Sequence, residues 1–155
     1  MPGRTPSPRS GHSITVAGNK AVVFGGCGIT DPDDTSAVYE PLISNETWIV
    51  DLDSLSDNTS KFQLADVMGD VPAPRWRHTA TLLPDDTILI FGGLSQGRRF
   101  NDTYVLDVAK MEWNIKECAG TPPHPRSHHT ANLVELEPED EVELPKQKVR
   151  LTGGG

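Results

Sequence analysis

The chain has 155 residues, 35% of them hydrophobic and 23% charged, with a formal net charge of −8 at pH 7. That length suits one ordinary domain, and the acidic balance argues against a nucleic-acid backbone as main partner while favouring solubility and a basic peptide ligand. No run approaches the roughly 18 apolar residues of a membrane helix, and Cys27 and Cys118 are too few for a disulfide framework. The polar, Pro-rich stretch from Met1 to Ser10 does not read as a secretory leader. The expected setting is therefore a reducing cytoplasm, with the nucleus as an alternative.

In chain order, residues 1–8 are read as a flexible lead. Thr5-Pro6 and Ser7-Pro8 within it fit proline-directed phosphorylation, although a mobile end is the blander reading. His12-Ser13-Ile14-Thr15-Val16 alternates polar and apolar residues and predicts a strand. Gly18-Asn19 predicts a tight turn, and Ala21-Val22-Val23-Phe24 a strand buried on both faces. Residues 27–44, with Asp31, Asp33 and Asp34, are predicted as a long loop. Thr47 to Val50 is a third strand, 53–60 a polar loop, and Phe62 and Leu64 mark an outer strand. A more regular passage follows. His78 to Leu83 is its inner strand, Pro84-Asp85-Asp86 a turn and Ile88 to Phe91 a second strand. Leu94 to Phe100 is a short loop, and strands run from Thr103 to Leu106 and from Trp113 to Lys116. A third passage starts at Thr130 to Val134, is interrupted by the acidic stretch Glu135 to Lys148, and resumes at Val149-Arg150-Leu151.

These passages are copies of one unit. Pro74-Arg75-Trp76-Arg77-His78-Thr79 recurs as Pro8-Arg9-Ser10-Gly11-His12-Ser13 and as Pro125-Arg126-Ser127-His128-His129-Thr130. Phe91-Gly92-Gly93 recurs as Phe24-Gly25-Gly26 and, degraded, as Thr152-Gly153-Gly154. Asn101-Asp102-Thr103-Tyr104-Val105-Leu106-Asp107 recurs as Asn45-Glu46-Thr47-Trp48-Ile49-Val50-Asp51. His12 and His78 are 66 residues apart, and His78 and His129 are 51 apart. A period of roughly 50 fits kelch arrays better than the roughly 40–45 of WD40, and no Trp-Asp dipeptide closes the units.

From Pro8 to Gly155 the chain resembles the kelch family on these blocks. Thr152 departs from the usual aromatic or aliphatic residue before the glycines, and repeat three lacks its second half. The resemblance implies an all-β protein made of kelch-type β-propeller blades. Two are full four-stranded blades and one is half a blade, within a six- or seven-bladed ring. It divides the chain into a lead (1–8), repeat one (9–72), repeat two (73–123) and partial repeat three (124–155) with its acidic insertion at 135–148. Blades bury both faces against neighbours, so the two end faces are expected to be apolar. Further blades, in the same chain or from another, are expected to complete the ring.

The double glycines read as structural; no Gly-Lys-Ser/Thr follows them, so they are not phosphate loops. Arg9, Arg75 and Arg126 with His12, His78 and His129 read as a framework tying each interblade loop to the next inner strand. The alternative is an arginine ring that captures an acidic ligand. Trp48, Tyr104 and Trp113 read as interblade packing. No metal or cofactor is expected. His124, His128 and His129 lack a Cys or acid at zinc spacing, and the Asp31 region lacks the glycine and terminal Glu of a calcium loop. Of the three glycosylation sequons, Asn45 and Asn101 fall in the repeat, where a turn explains the asparagine.

Strand alternation within a blade puts loops 27–44, 69–77, 94–100 and 119–128 on one face. That face carries Tyr39, Arg75, Trp76, Arg77, Arg98, Arg99, Phe100 and His128, the residue types of binding hot spots on loops held by a rigid scaffold. Trp76 stands out, because its repeat equivalents are Ser10 and Ser127; covering the edge of its own blade is its plainer role. The expected function is a non-catalytic interaction module, a scaffold or adaptor for a protein or peptide partner, with no nucleic acid and no membrane. Two alternatives stay open. One is a metal-dependent enzyme or specifier protein whose ligands lie in other blades. The other is a structural subunit of a large cytoskeletal or axonemal assembly.

Overall fold

The computed structural model describes residues 5–29, 41–55, 59–135 and 147–154. Its first strands are β1 (Arg9–Ser10), β2 (Ser13–Ala17), β3 (Lys20–Phe24), β4 (Cys27–Ile29), β5 (Pro41–Ile43), β6 (Thr47–Asp51), β7 (Gln63–Leu64) and β8 (Met68–Gly69). Then come β9 (Thr79–Leu82), β10 (Thr87–Phe91), β11 (Leu94–Ser95), β12 (Arg98–Arg99), β13 (Thr103–Asp107), β14 (Glu112–Ile115), β15 (His129–Glu135) and β16 (Gln147–Gly153). Among the described residues the helical element is one 3-10 turn, Asp53–Leu55.

Two antiparallel meanders dominate. The first has the order β2-β3-β6-β7 and the second β9-β10-β13-β14, while β15 and β16 form a hairpin. Ala17 pairs with Lys20 across the first turn. Gly18 takes φ +56° there, as a two-residue hairpin turn with glycine first requires.

Register explains the core. Residues directly opposite one another share a sheet face. Ile88, Leu106 and Trp113 are aligned across the second sheet, and Val22 and Ile49 across the first. These two faces pack together, burying Ala17, Val22, Phe24, Ile88, Ile90, Leu106, Val108 and Trp113. The Trp113 ring lies 4.8 Å from that of Phe24. Its Nε1–H donates to Thr47 Oγ1 at 3.3 Å, so the large ring is buried without leaving its polar atom orphaned.

Three features differ from the sequence expectation. The predicted 27–44 loop begins and ends as strands, because β4 and β5 pair with each other and β1 joins them in the order β1-β4-β5. The predicted 94–100 loop is a hairpin of β11 and β12, and Trp76 bridges to Leu94 beside it. The second sheet also gains a fifth, parallel strand, since β8 lies against β14. That approach needs Gly69, where a Cβ would stand 2.2 Å from the Trp113 carbonyl oxygen.

The outer faces are unlike each other. On the first sheet Ile14, Val16, Phe62 and Leu64 are exposed, which is the apolar face expected there. On the β15–β16 hairpin, among the residues whose burial is described, the exposed ones are Thr130, Asn132, Lys148, Arg150, Thr152 and Gly153. That side is polar, which corrects the expectation of two apolar ends.

Candidate functional site

The loop face is built on a joint repeated between successive units. Each hexad arginine donates its Nε–H to the carbonyl two residues before it: Arg9 to Ser7, Arg75 to Ala73 and Arg126 to His124. Each sends Nη1 to the first glycine of its own pair, at Gly25, Gly92 and Gly153. Arg75 then forks onto both oxygens of Asp102 at 2.6 and 3.0 Å. Arg9 reaches Glu46 Oε2 at 2.8 Å. The guanidinium of Arg75 also lies over Phe100, 4.4 Å from the ring centre. Arg75 is 0% exposed, so it belongs to the framework and is removed from the candidate binding surface.

The glycines close the joint. The second of each pair donates its N–H to the next hexad arginine's carbonyl, Gly26 to Arg75 and Gly93 to Arg126, both at 2.9 Å. A Cβ on Gly25 would lie 2.5 Å from the Arg75 oxygen, and one on Gly92 2.7 Å from the Arg126 oxygen. No side chain fits such an approach. The histidines staple neighbouring inner strands. His78 Nε2 pairs with Ser13 Oγ at 2.8 Å, and His129 Nε2 with Thr79 Oγ1 at 3.1 Å. Asn45 and Asn101 are ties as well, donating to the Pro72 and Pro123 carbonyls. Sequence reasoning had assigned those asparagines only to a turn.

A backbone thread crosses this face. Arg77 N–H donates to Gly11 O at 2.7 Å, and His128 N–H donates to Arg77 O at 3.2 Å. These are equivalent positions, one before each hexad histidine, and all three have positive φ: +64° at Gly11, +55° at Arg77 and +57° at His128. Glycine holds that conformation without strain, whereas Arg and His do so at a cost on the order of 1 kcal/mol. Both residues are exposed, although His128 Nδ1 pairs with the buried Ser127 Oγ at 3.1 Å. Arg77 stacks on Trp76, 3.9 Å from the ring centre. A Cβ on Gly11 would meet the Trp76 ring and Arg77 at 3.1 Å. Trp76 therefore packs over the bare backbone of the preceding repeat. Beside it, Arg98 and Arg99 stand exposed on β12. Arg98 lies 5.7 Å from the Phe100 ring centre, on a ring that Arg75 also contacts.

A match to the KLHDC2/KLHL20/DRC7 Kelch-repeats domain covers residues 40–137. The chain belongs to the kelch-repeat family. The dynein alpha chain of the flagellar outer arm from Chlamydomonas reinhardtii is 38% identical over 129 residues, covering 83% of this chain and 3% of the relative. Human host cell factor 2 is 34% identical over 137 residues, covering 85% of this chain and 17% of the relative. The acyl-CoA-binding domain-containing protein 5 of Arabidopsis thaliana is 34% identical over 132 residues, covering 85% and 18%. The chain thus spans under a fifth of each of these relatives.

The two full sheets are kelch blades, and the loop face assembles Trp76, Arg77, Arg98, Arg99, Phe100 and His128 around the kelch joint. Tyr39, placed on the same face from sequence, lies outside the described residues. Among the described residues, no three His, Cys, Asp or Glu side chains come together as a metal site, and no helix is long and apolar enough to cross a membrane.

The kelch joint carries a pH dependence. Burial, reinforced by the Arg75 charge and then by His129 and His12, pushes the His78 pKa from 6.5 down to about 3. Burial and Arg126 lower His129 as well. Folded His78 therefore binds fewer protons than unfolded His78. Its contribution is complete above the unfolded pKa of 6.5 and is lost as pH falls towards 3. We expect His78 to account for about 2 kcal/mol of stability lost between pH 7 and pH 5. Urea titrations at the two pH values measure it. His78→Gln, which keeps a hydrogen-bonding group near Ser13, should flatten the dependence.

Proposed function

We propose that this kelch domain is a non-catalytic interaction module that binds a protein or peptide through Trp76, Arg77, Arg98, Arg99, Phe100 and His128. The observation that carries the reading is the thread of positive-φ residues. The thread itself uses the backbone at these positions, and Gly11 supplies it without strain, while the His128 ring adds one bond to Ser127 Oγ. Arg77 and His128 instead hold exposed functional side chains in a conformation their Cβ atoms disfavour. The Arg77–Trp76 stack adds a pre-ordered aromatic cation, a type favoured at hot spots. Two groups of kinds that catalysis recruits serve the joint: Arg75 is carboxylate-paired, and His78 is buried and neutral.

The test uses selection from a random peptide library displayed on phage. The expected result is enrichment of a peptide set whose binding falls at least tenfold in Trp76→Ala and in Arg77→Gly, on the order of 1.4 kcal/mol or more. Arg77→Gly should leave stability within about 1 kcal/mol of the parent, since relief of backbone strain offsets the lost stacking. No enrichment, or equal binding by both variants, overturns the assignment.

A second reading is favoured by one specific observation, the 38% identity to a flagellar outer-arm dynein alpha chain. In it the domain is a structural subunit of a large assembly, and the same face contacts a neighbouring subunit. Co-sedimentation with axonemal outer arms separates the two: assembly binding without peptide enrichment supports this reading.

A further inference from the structure

Ser7 is a hydroxyl the kelch joint does not call for. Of the three residues whose carbonyls accept from the hexad arginines, Ala73 and His124 carry none. Ser7 does, and its Oγ lies 3.2 Å from Arg9 Nη2. The same nitrogen donates to Glu46 Oε2 at 2.8 Å. Arg75 by contrast gives its fork to both oxygens of Asp102. The Arg9 guanidinium thus meets one carboxylate oxygen and one serine hydroxyl where its counterpart meets a complete acid. Ser7 is exposed and followed by Pro8. It lines a cavity of about 360 Å³ together with Arg9, Glu46 and Trp48, so there is room for a larger group. The backbone next to it is fixed, because the Pro8 carbonyl sits where a Cβ on Gly28 would stand, 2.5 Å away.

We infer that Ser7 is a phosphorylation site whose phosphate is received by Arg9. A proline-directed kinase supplies the chemistry with ATP as donor. A bond forms between Ser7 Oγ and the γ-phosphorus, and the bond from that phosphorus to the β–γ bridging oxygen breaks. ADP leaves with the electron pair, and the hydroxyl proton passes to the kinase's base. The phosphoserine carries about −1.5 to −2 charge near neutral pH. It outcompetes a single carboxylate oxygen for a planar guanidinium fork. Glu46 keeps the bonds it accepts from Trp48 Nε1 at 3.1 Å and Ser44 Oγ at 3.3 Å. The modification therefore ties the N-terminal lead to the first blade through a charged pair.

The experiment uses the full chain with Thr5→Ala, leaving Ser7-Pro8 as the proline-directed acceptor of the lead. It is incubated with ATP and a proline-directed serine kinase, and phosphate is located by mass spectrometry. A phosphorus NMR titration then follows the second ionisation, ordinarily near about 6. The expected result is phosphate on Ser7 and a pKa at least about half a unit lower than in the same product carrying Arg9→Gln. Arg9→Lys should fall between the two. Glu46→Gln, which leaves Arg9 in place, should lower the value further and serves if the arginine variants fail to fold. Absence of phosphate at Ser7, or a titration indifferent to these changes, overturns the inference.

Discussion

Trp113→Ala is expected to remove about 3–5 kcal/mol of stability, read as a fall in the urea midpoint. Trp113 is 0% exposed and fills the space between the two blades. Its ring packs on Phe24, and its N–H satisfies Thr47, which is itself buried. Truncation opens a cavity in the joint and orphans a hydroxyl, and a rigid sheet-on-sheet contact collapses poorly around such a gap. The repeat supplies the control. Phe62 is the equivalent residue of the first blade, yet it is 39% exposed. Phe62→Ala should cost under about 1 kcal/mol. Equal losses at both positions would mean that the interblade core is not what holds the domain together.

Arg75→Met is the second large effect, a loss of about 3 kcal/mol. The substitution keeps much of the stem's packing on Phe100 and Tyr104 while deleting the charge. Asp102 and the Gly92 and Ala73 carbonyls then lose their donors. The lower end of the range for broken buried pairs applies, because the Asp102 side chain is 35% exposed and can be rehydrated. Arg126→Met is the matched comparison. That arginine bonds the His124 and Gly153 carbonyls, with no ion pair to an acid among the described residues, so about 1 kcal/mol is expected. Chemical denaturation of both variants ranks them, and the reverse order would contradict a joint centred on the Arg75–Asp102 pair.

The residues that repeat were readable because each has one fixed contact. The Pro-Arg arginines meet equivalent carbonyls in all three copies, and Phe-Gly-Gly and the hexad histidine make equivalent contacts where they recur, so spacing alone could align them. The short strands β4, β5, β11 and β12 gave no such signal. Strands of two or three residues are too short for alternation to show, and β4 finds its partner β1 across 16 intervening positions. The parallel addition of β8 was hidden for a related reason, since Met68-Gly69 has no strand-like composition. On the candidate surface, Trp76 was conspicuous because its counterparts are serines. The positive φ of Arg77 and His128 was not, because neither residue type signals a left-handed backbone. Gly11, aligned with them in the hexad, is the residue that carries that information.

The thread through Gly11, Arg77 and His128 links points 66 and then 51 residues apart with the same donor and acceptor. Its geometry is indifferent to how much polypeptide lies between the anchor points. Segment length is therefore a free variable in this architecture and hexad register a fixed one. Foreign sequence grafted between a blade's outer strands should be tolerated, whereas a single residue gained or lost inside Pro-Arg-x-x-His would misalign every partner downstream.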